Sequence, residues 1–166
     1  MLRIQPIVSI CIILILIFFT VARSFCYVDE AALWQDTILK SPQKARPHNN
    51  LGHALKNAGR LDEAAHSFER AIELNPDYPD ALNNLSTIYN STGRKQDALD
   101  LLRRTLSLNP GHLQAKYNLA LQYYEMGLFS DAVREYSQLI EISPYSKEAA
   151  FARQMLLLIQ RNSPAQ

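Results

Sequence analysis

The sequence predicts an all-α solenoid of antiparallel helix pairs, because it repeats itself every 34 residues. Three units can be written in register, with bounds at 45–78, 79–112 and 113–146. A large apolar residue, a glycine and a proline recur in every unit at the same places. A helix pair of this length buries its apolar face only by stacking on its neighbours, and about three units are needed for a continuous core.

Each unit is predicted to contain two helices joined by a tight turn. In the first helix a leucine is followed four residues later by another large apolar residue, so both lie on one face. These pairs are Leu51 and Leu55, Leu85 and Tyr89, and Leu119 and Tyr123. Glycine ends each first helix because it adopts a left-handed backbone most easily. The glycines are Gly59, Gly93 and Gly127.

The second helix of each unit carries an alanine four residues before a large apolar side chain, which lets the two helices approach closely. The alanines are Ala64, Ala98 and Ala132, and their large partners are Phe68, Leu102 and Tyr136. A proline then ends the helix, because it lacks the amide donor and disfavours the helical conformation of the residue before it. The prolines are Pro76, Pro110 and Pro144.

This succession of small and large residues over 45–146 resembles the tetratricopeptide repeat. The resemblance implies a right-handed α-solenoid whose first helices line a concave groove. It also implies a protein that binds other proteins rather than one that catalyses a reaction. Three such repeats would occupy the units defined above.

Shorter segments flank the three units. Residues 28–44 place Trp34, Ile38 and Pro42 where the second helix of a preceding repeat would have its phenylalanine, isoleucine and proline, so they predict a half-repeat helix. Residues 147–166 predict a capping helix and tail. The cap contains an unbroken apolar run at 155–159, which either folds mostly onto the third unit or forms a homodimer contact.

The amino-terminal segment, 1–27, is predicted to be a membrane anchor or an uncleaved signal. Residues 7–22 are apolar apart from Ser9 and Thr20, and their length exceeds the usual signal core of about 7 to 15 residues. This favours one retained transmembrane helix ahead of the solenoid. The charges around it place the repeats on the extracytoplasmic side, periplasmic or lumenal. Cys11 lies inside this segment and Cys26 just beyond it, so neither can form a disulfide that links the repeats.

A second resemblance covers residues 27–52, which include Trp34, Pro42, Pro47 and Asn50. This stretch is similar to the junction between the last membrane helix and the repeats in membrane glycosyltransferases of the transmembrane and tetratricopeptide O-mannosyltransferase type. It implies that the chain is the substrate-presenting carboxy-terminal portion of such an enzyme, as an alternative to a free-standing protein.

The sequence offers no set of catalytic residues. It lacks a glycine-rich phosphate loop, closely spaced cysteines and a His-Glu-x-x-His helix, so neither a cofactor nor a metal is expected. Lysine and arginine number 17 against 16 acidic residues, and no basic run is interleaved with aromatics. Nucleic acid is therefore not an expected partner.

The expected binding surface is the groove formed by one face of the three first helices. Its candidate residues are Arg46, Asn49, Asn50 and His53 in the first unit, Asn83, Asn84 and Thr87 in the second, and Tyr117, Asn118, Leu121 and Tyr124 in the third. The sixth residue of every unit is asparagine: Asn50, Asn84 and Asn118. These resemble the asparagine ladder of O-GlcNAc transferase, which implies that they hold the backbone of an extended peptide through the amide's donor and acceptor. Alternatively, asparagine recurs there because the duplicated helices tolerate it on a solvated face.

The resulting hypothesis is a membrane-anchored scaffold that is not an enzyme and binds an extended peptide or a partner protein. Peptide carboxy termini are not the expected ligand. Relatives that bind them use lysine and arginine at groove positions where this chain has Asn49, His53, Gln114 and Asn118.

Overall fold

The computed structural model describes residues 30–162, and within that range the protein consists of eight α-helices. In chain order they are α1 (Glu30–Lys40), α2 (Ala45–Asn57), α3 (Leu61–Leu74), α4 (Pro79–Ser91), α5 (Lys95–Leu108), α6 (Leu113–Glu125), α7 (Phe129–Ile142) and α8 (Lys147–Asn162). Each helix packs against the next one in the chain, and short turns reverse the direction between them. The predicted all-α solenoid is confirmed.

The turn within each helix pair depends on a glycine in the left-handed region. The backbone φ angles are +76° at Gly59, +82° at Gly93 and +76° at Gly127. In the first turn, the amide of Arg60 donates to the carbonyl of Leu55 at 2.9 Å and the amide of Gly59 donates to that of Lys56 at 3.0 Å. These are the two bonds of a Schellman motif, which satisfies the last carbonyls of a helix. The predicted role of the glycines is confirmed.

The helix pairs are held together by small residues facing large ones. Phe68 is fully buried, and its ring lies against Gly52 of α2 so closely that a Cβ there would be 2.7 Å from Cε1. Leu102 and Tyr136 occupy the equivalent places in the next two pairs and are also buried. Each helix pair therefore encloses one large side chain. Neighbouring pairs pack against each other through their apolar surfaces.

The flanking helices cover the ends of this stack. At the amino-terminal end α1 packs on α2, with Ala31 buried and Trp34 partly buried. At the other end α8 packs on α7, and Ala149 and Ala152 are fully buried. A helix is therefore present in each of the two flanking segments, and each packs on one end of the stack.

The apolar run 155–159 divides between the core and the surface. Ile159 is buried, and Met155 and Leu156 pack partly against the core of the third pair. Leu157 is 65% exposed and Leu158 is 44% exposed. Most of the run therefore folds onto the third unit, while a dimer contact through it stays a prediction.

The predicted membrane segment, residues 7–22, lies outside the described residues. Among the helices between Glu30 and Asn162, none has the length and apolar character needed to cross a bilayer.

Tyr136 carries a polar group in this core. Its side chain is fully buried, and its hydroxyl oxygen has no hydrogen-bond partner among the described residues. Burial raises the pKa of the phenol, and the nearby Tyr117, Glu125 and Tyr124 raise it further. The folded protein therefore holds the phenol of Tyr136 in its neutral, protonated form.

Replacing Tyr136 by phenylalanine is expected to leave the free energy of unfolding unchanged or to raise it by about 1 kcal/mol, because the variant removes a buried hydroxyl that makes no hydrogen bond. Urea unfolding of the two proteins followed by circular dichroism measures the difference. A loss of more than about 1 kcal/mol would show that the hydroxyl has a stabilising partner.

Candidate functional site

The inner surface of the solenoid is formed by the first helix of each pair. Helices α2 and α4 contact each other, as do α4 with α6 and α6 with α8, whereas no comparable contact joins α3 to α5 or α5 to α7. The stack therefore curves with the first helices on its inner side. All the predicted groove residues lie on α2, α4 and α6.

Neighbouring first helices are linked by hydrogen bonds between asparagine side chains. Asn84 donates from Nδ2 to Oδ1 of Asn49 at 3.1 Å, and Asn118 donates from Nδ2 to Oδ1 of Asn83 at 2.9 Å. Both bonds join the sixth residue of one unit to the fifth residue of the unit before it. We call this pair of bonds the asparagine relay.

The relay uses only part of the hydrogen-bonding capacity of these asparagine side chains. Asn49 and Asn83 are buried, whereas Asn84 and Asn118 are half-buried. A carboxamide has two N–H donors and an oxygen with two lone pairs, so Asn84 retains one N–H and its Oδ1. Asn118 Oδ1 accepts from Gln114 at 3.1 Å. Of the recurring asparagines, Asn84 and Asn118 therefore join the repeats, a role that the sequence did not suggest, and they keep some hydrogen-bonding groups for a ligand. Asn50 makes no such link; its Oδ1 accepts from Asn49 Nδ2 at 3.4 Å within α2.

The third unit contributes an aromatic section. The ring of Tyr117 lies 5.8 Å from that of Tyr136 and 6.1 Å from that of Phe151 on α8, measured between centroids. Burial raises the pKa of Tyr117. Tyr124 meets Phe129 edge-on at 5.6 Å, and both Phe129 and Phe151 are half exposed. The predicted aromatic residues are thus packed in place, and Phe151 extends their surface onto the capping helix.

A cleft of about 120 Å³ lies between the second and third units. It brings together three of the predicted residues, Thr87, Asn118 and Leu121. Its remaining lining residues are Ser86, Asn90, Leu102 and Gln122. Gln122 was not predicted, although the sequence carries a signal for it: the same position holds alanine in the first unit and isoleucine in the second.

The candidate residues of the first unit lie apart from this cleft. Arg46 is exposed on α2, and His53 is exposed next to Asn57, whose Nδ2 is 3.3 Å from its Nδ1. Lys56 is half-buried, and burial lowers the pKa of its ammonium group. This end of the inner surface is therefore polar and cationic, and the end at α6 is aromatic.

Comparison with known proteins agrees with this architecture. One model described as "Tetratricopeptide repeat" matches residues 49–112, and a second model with the same description matches residues 93–156. Residues 49–156 are tetratricopeptide repeats. Among the curated proteins compared, none matches this chain.

Many solved structures share the fold of these repeats. A structure described as "Crystal structure of MamA" is 24% identical, covers 76% of this chain and 77% of that one, and has a TM-score of 0.63. "First TPR of Spaghetti (RPAP3) bound to HSP90 peptide SRMEEVD" is 20% identical, covers 72% and 92%, and has a TM-score of 0.66. The Arabidopsis OM64 TPR domain is 13% identical, covers 72% and 96%, and has a TM-score of 0.65. At these identities the similarity establishes the fold alone. The similarity of residues 27–52 to membrane glycosyltransferases stays a prediction.

Proposed function

We propose that the tetratricopeptide repeats bind an extended peptide segment of a partner protein along the inner surface of α2, α4 and α6, and that they act as a scaffold rather than an enzyme. The observation that carries this proposal is the cleft between the second and third units, where Thr87, Asn118 and Leu121 meet. It combines amide and hydroxyl groups with an apolar wall, which is the composition expected of a site that orients a ligand by a few polar contacts.

The chemistry of the groove favours contact with a peptide backbone. Asn84 and Thr87 present polar groups one helical turn apart on α4, and Asn84 keeps an N–H and an oxygen beyond its bond to Asn49. A peptide unit offers one donor and one acceptor, so a side-chain amide can pair with both. Such contacts hold an extended segment with little dependence on its sequence.

The Spaghetti repeat domain, which shares this fold, has been solved with the HSP90 peptide SRMEEVD. In this chain the positions at which relatives hold a carboxy terminus carry Asn49, His53, Gln114 and Asn118, and three of these take part in or adjoin the asparagine relay. We therefore propose an internal, uncharged segment as the ligand, rather than an acidic carboxy terminus.

Residues 7–22 support the further proposal that the scaffold is held at a membrane with its repeats on the extracytoplasmic side, because the segment is apolar and long. Protease treatment tests this: periplasmic repeats should be digested in spheroplasts without lysis, and lumenal repeats should be protected in sealed microsomes until detergent is added. Protection in intact spheroplasts or digestion in sealed microsomes would contradict the proposed orientation.

A selection from a library of random linear peptides, with the full chain in detergent as bait, tests the groove. Leu121→Arg should lower the affinity of the selected peptides about tenfold or more, a loss of roughly 1.4 kcal/mol, because it places a long charged side chain in the cleft. Leu39→Arg is the matched control, since Leu39 is 82% exposed on α1, away from the groove. Fluorescence anisotropy measures the affinities, and circular dichroism checks that both variants are folded.

Two results would contradict the proposal. The first is a selection in which no peptide is enriched. The second is a set of peptides that bind both arginine variants equally, because their site would then lie elsewhere on the protein.

A further inference from the structure

Two buried polar atoms have no hydrogen-bond partner among the described residues, and both belong to side chains that line the cleft between the second and third units. They are Oδ1 of Asn90 on α4 and Nε2 of Gln122 on α6. The first is an acceptor and the second is a donor. Buried polar groups in native proteins are nearly always paired, so two unpaired atoms at one cleft indicate that something else occupies it.

The orientation of the Asn90 amide is fixed by its surroundings. Its Nδ2 donates to Oε2 of Glu125 at 3.0 Å. A carboxylate only accepts, so the nitrogen must face Glu125 and the oxygen must be the atom left without a partner. Asn90, one of the residues that line the cleft, therefore carries an acceptor without a partner among the described residues.

Gln122 stands out when the three repeats are compared in register. Its position is occupied by Ala54 in the first repeat and Ile88 in the second, and both are buried as part of the apolar core. Gln122 is equally buried, with 1% of its surface exposed. An apolar residue fills this position in the other two repeats, so packing does not require an amide there. The amide of Gln122 adds a buried donor without a partner, which costs stability.

We propose that this cleft is a subsite for the carboxamide side chain of an asparagine or glutamine in the bound peptide, an inference that rests on the proposed function. Both atoms are covered by neighbouring groups in this structure, so the two side chains would turn toward the cleft on binding. The ligand's carbonyl would then accept from Gln122 Nε2, and its NH₂ group would donate to Asn90 Oδ1. A carboxylate lacks the donor and an aliphatic side chain lacks both groups, so neither satisfies the two buried atoms.

The size and walls of the cleft suit this ligand. Its volume of about 120 Å³ is well above the roughly 10 to 15 Å³ that one water molecule needs, so the cleft has room for a group larger than a single water. Leu102 and Leu121 lie in the lining and provide contact for those methylenes. Thr87 and Asn118 also line the cleft, which places it where the peptide backbone would run. The subsite would thus bind one side chain of the peptide, while the groove surface above it binds the peptide backbone.

The direct test uses small probes and does not need a peptide partner. The full chain in detergent, labelled with ¹⁵N, is titrated with propionamide, propionate or butanone, and the side-chain amide resonances of Asn90 and Gln122 are followed by NMR. Propionamide should shift both resonances in a saturable way, and the other two probes should not. Gln122→Ile, which restores the residue type of the second repeat, should abolish the response while the melting temperature stays the same or rises.

Peptides from the library selection supply the second measurement. Those that bind the wild-type chain should carry asparagine or glutamine at one fixed position, and exchanging it for leucine or glutamate should weaken binding about tenfold to wild type but not to Gln122→Ile. Enriched peptides without this preference, or an equal response to all three probes, would show that the cleft holds water only and would overturn the subsite. If no peptide is enriched but propionamide binds selectively, the subsite stands and the proposed function fails.

Discussion

Replacing Asn83 by alanine is expected to lower the free energy of unfolding by about 1 to 3 kcal/mol, because it leaves the amide of Asn118 without its acceptor in a half-buried position. Asn83 itself is 5% exposed, so the truncation also removes the packing contacts of a buried side chain. The loss outweighs the few tenths of a kcal/mol that alanine contributes as a better helix former.

A double-mutant cycle with Asn118→Ala measures one bond of the relay, the bond between Asn118 and Asn83. Urea unfolding of the two single variants and the double variant should give a coupling energy of about 0.5 to 3 kcal/mol, as found for residues in contact. Asn57→Ala is the matched control, since Asn57 is exposed in α2 and, among the described residues, its side chain is bonded to the exposed His53 alone. Single effects that add within about 0.5 kcal/mol would show that the bond contributes nothing.

The second large effect is expected at Gly52, whose replacement by alanine should destabilise the first repeat by about 1 to 2 kcal/mol. The added Cβ would meet Cε1 and Cδ1 of the Phe68 ring at 2.7 and 2.8 Å, and this ring is fully buried. Overpacking of this kind costs about 1 to 3 kcal/mol. The gain in helix propensity from glycine to alanine returns about 1 kcal/mol at most.

The double variant Gly52→Ala, Phe68→Leu tests the cause. The second repeat pairs Ser86 with Leu102 at these positions, so a smaller partner should relieve the overlap and recover part of the stability. Thermal unfolding of Gly52→Ala, Phe68→Leu and the double variant measures the changes. A Gly52→Ala protein as stable as the wild type would mean that α2 and α3 can separate without cost.

Most of the fold could be predicted because its signals are local. Gly93 could be assigned to a left-handed turn from its place in the repeat, and its φ of +82° agrees. Trp34 indicated a helix covering the first repeat, and α1 does so. Such features depend on residues within one helix or turn, and the 34-residue spacing repeats them three times.

The hydrogen bonding of the groove could not be predicted in the same way. The sequence shows that Asn49 and Asn84 occupy the fifth and sixth places of successive units, but whether their amides meet depends on the separation and rotation of two helices. The unpaired amide of Gln122 depends in turn on how α4 and α6 enclose it.

For the apolar run in α8, helical periodicity allows only part of it to face the core, and the structure shows that Ile159 does so while Leu157 does not.

The asparagine relay also has a mechanical consequence. Its two bonds, at 3.1 and 2.9 Å, lie on the inner side of the curve, where straightening the solenoid would pull neighbouring helices apart. The outer helices α3, α5 and α7 have no comparable contacts with one another that would resist the opposite motion. The solenoid should therefore resist straightening more strongly than it resists tighter curvature. A partner pulling along the groove would be opposed by the same side chains that hold the repeats together.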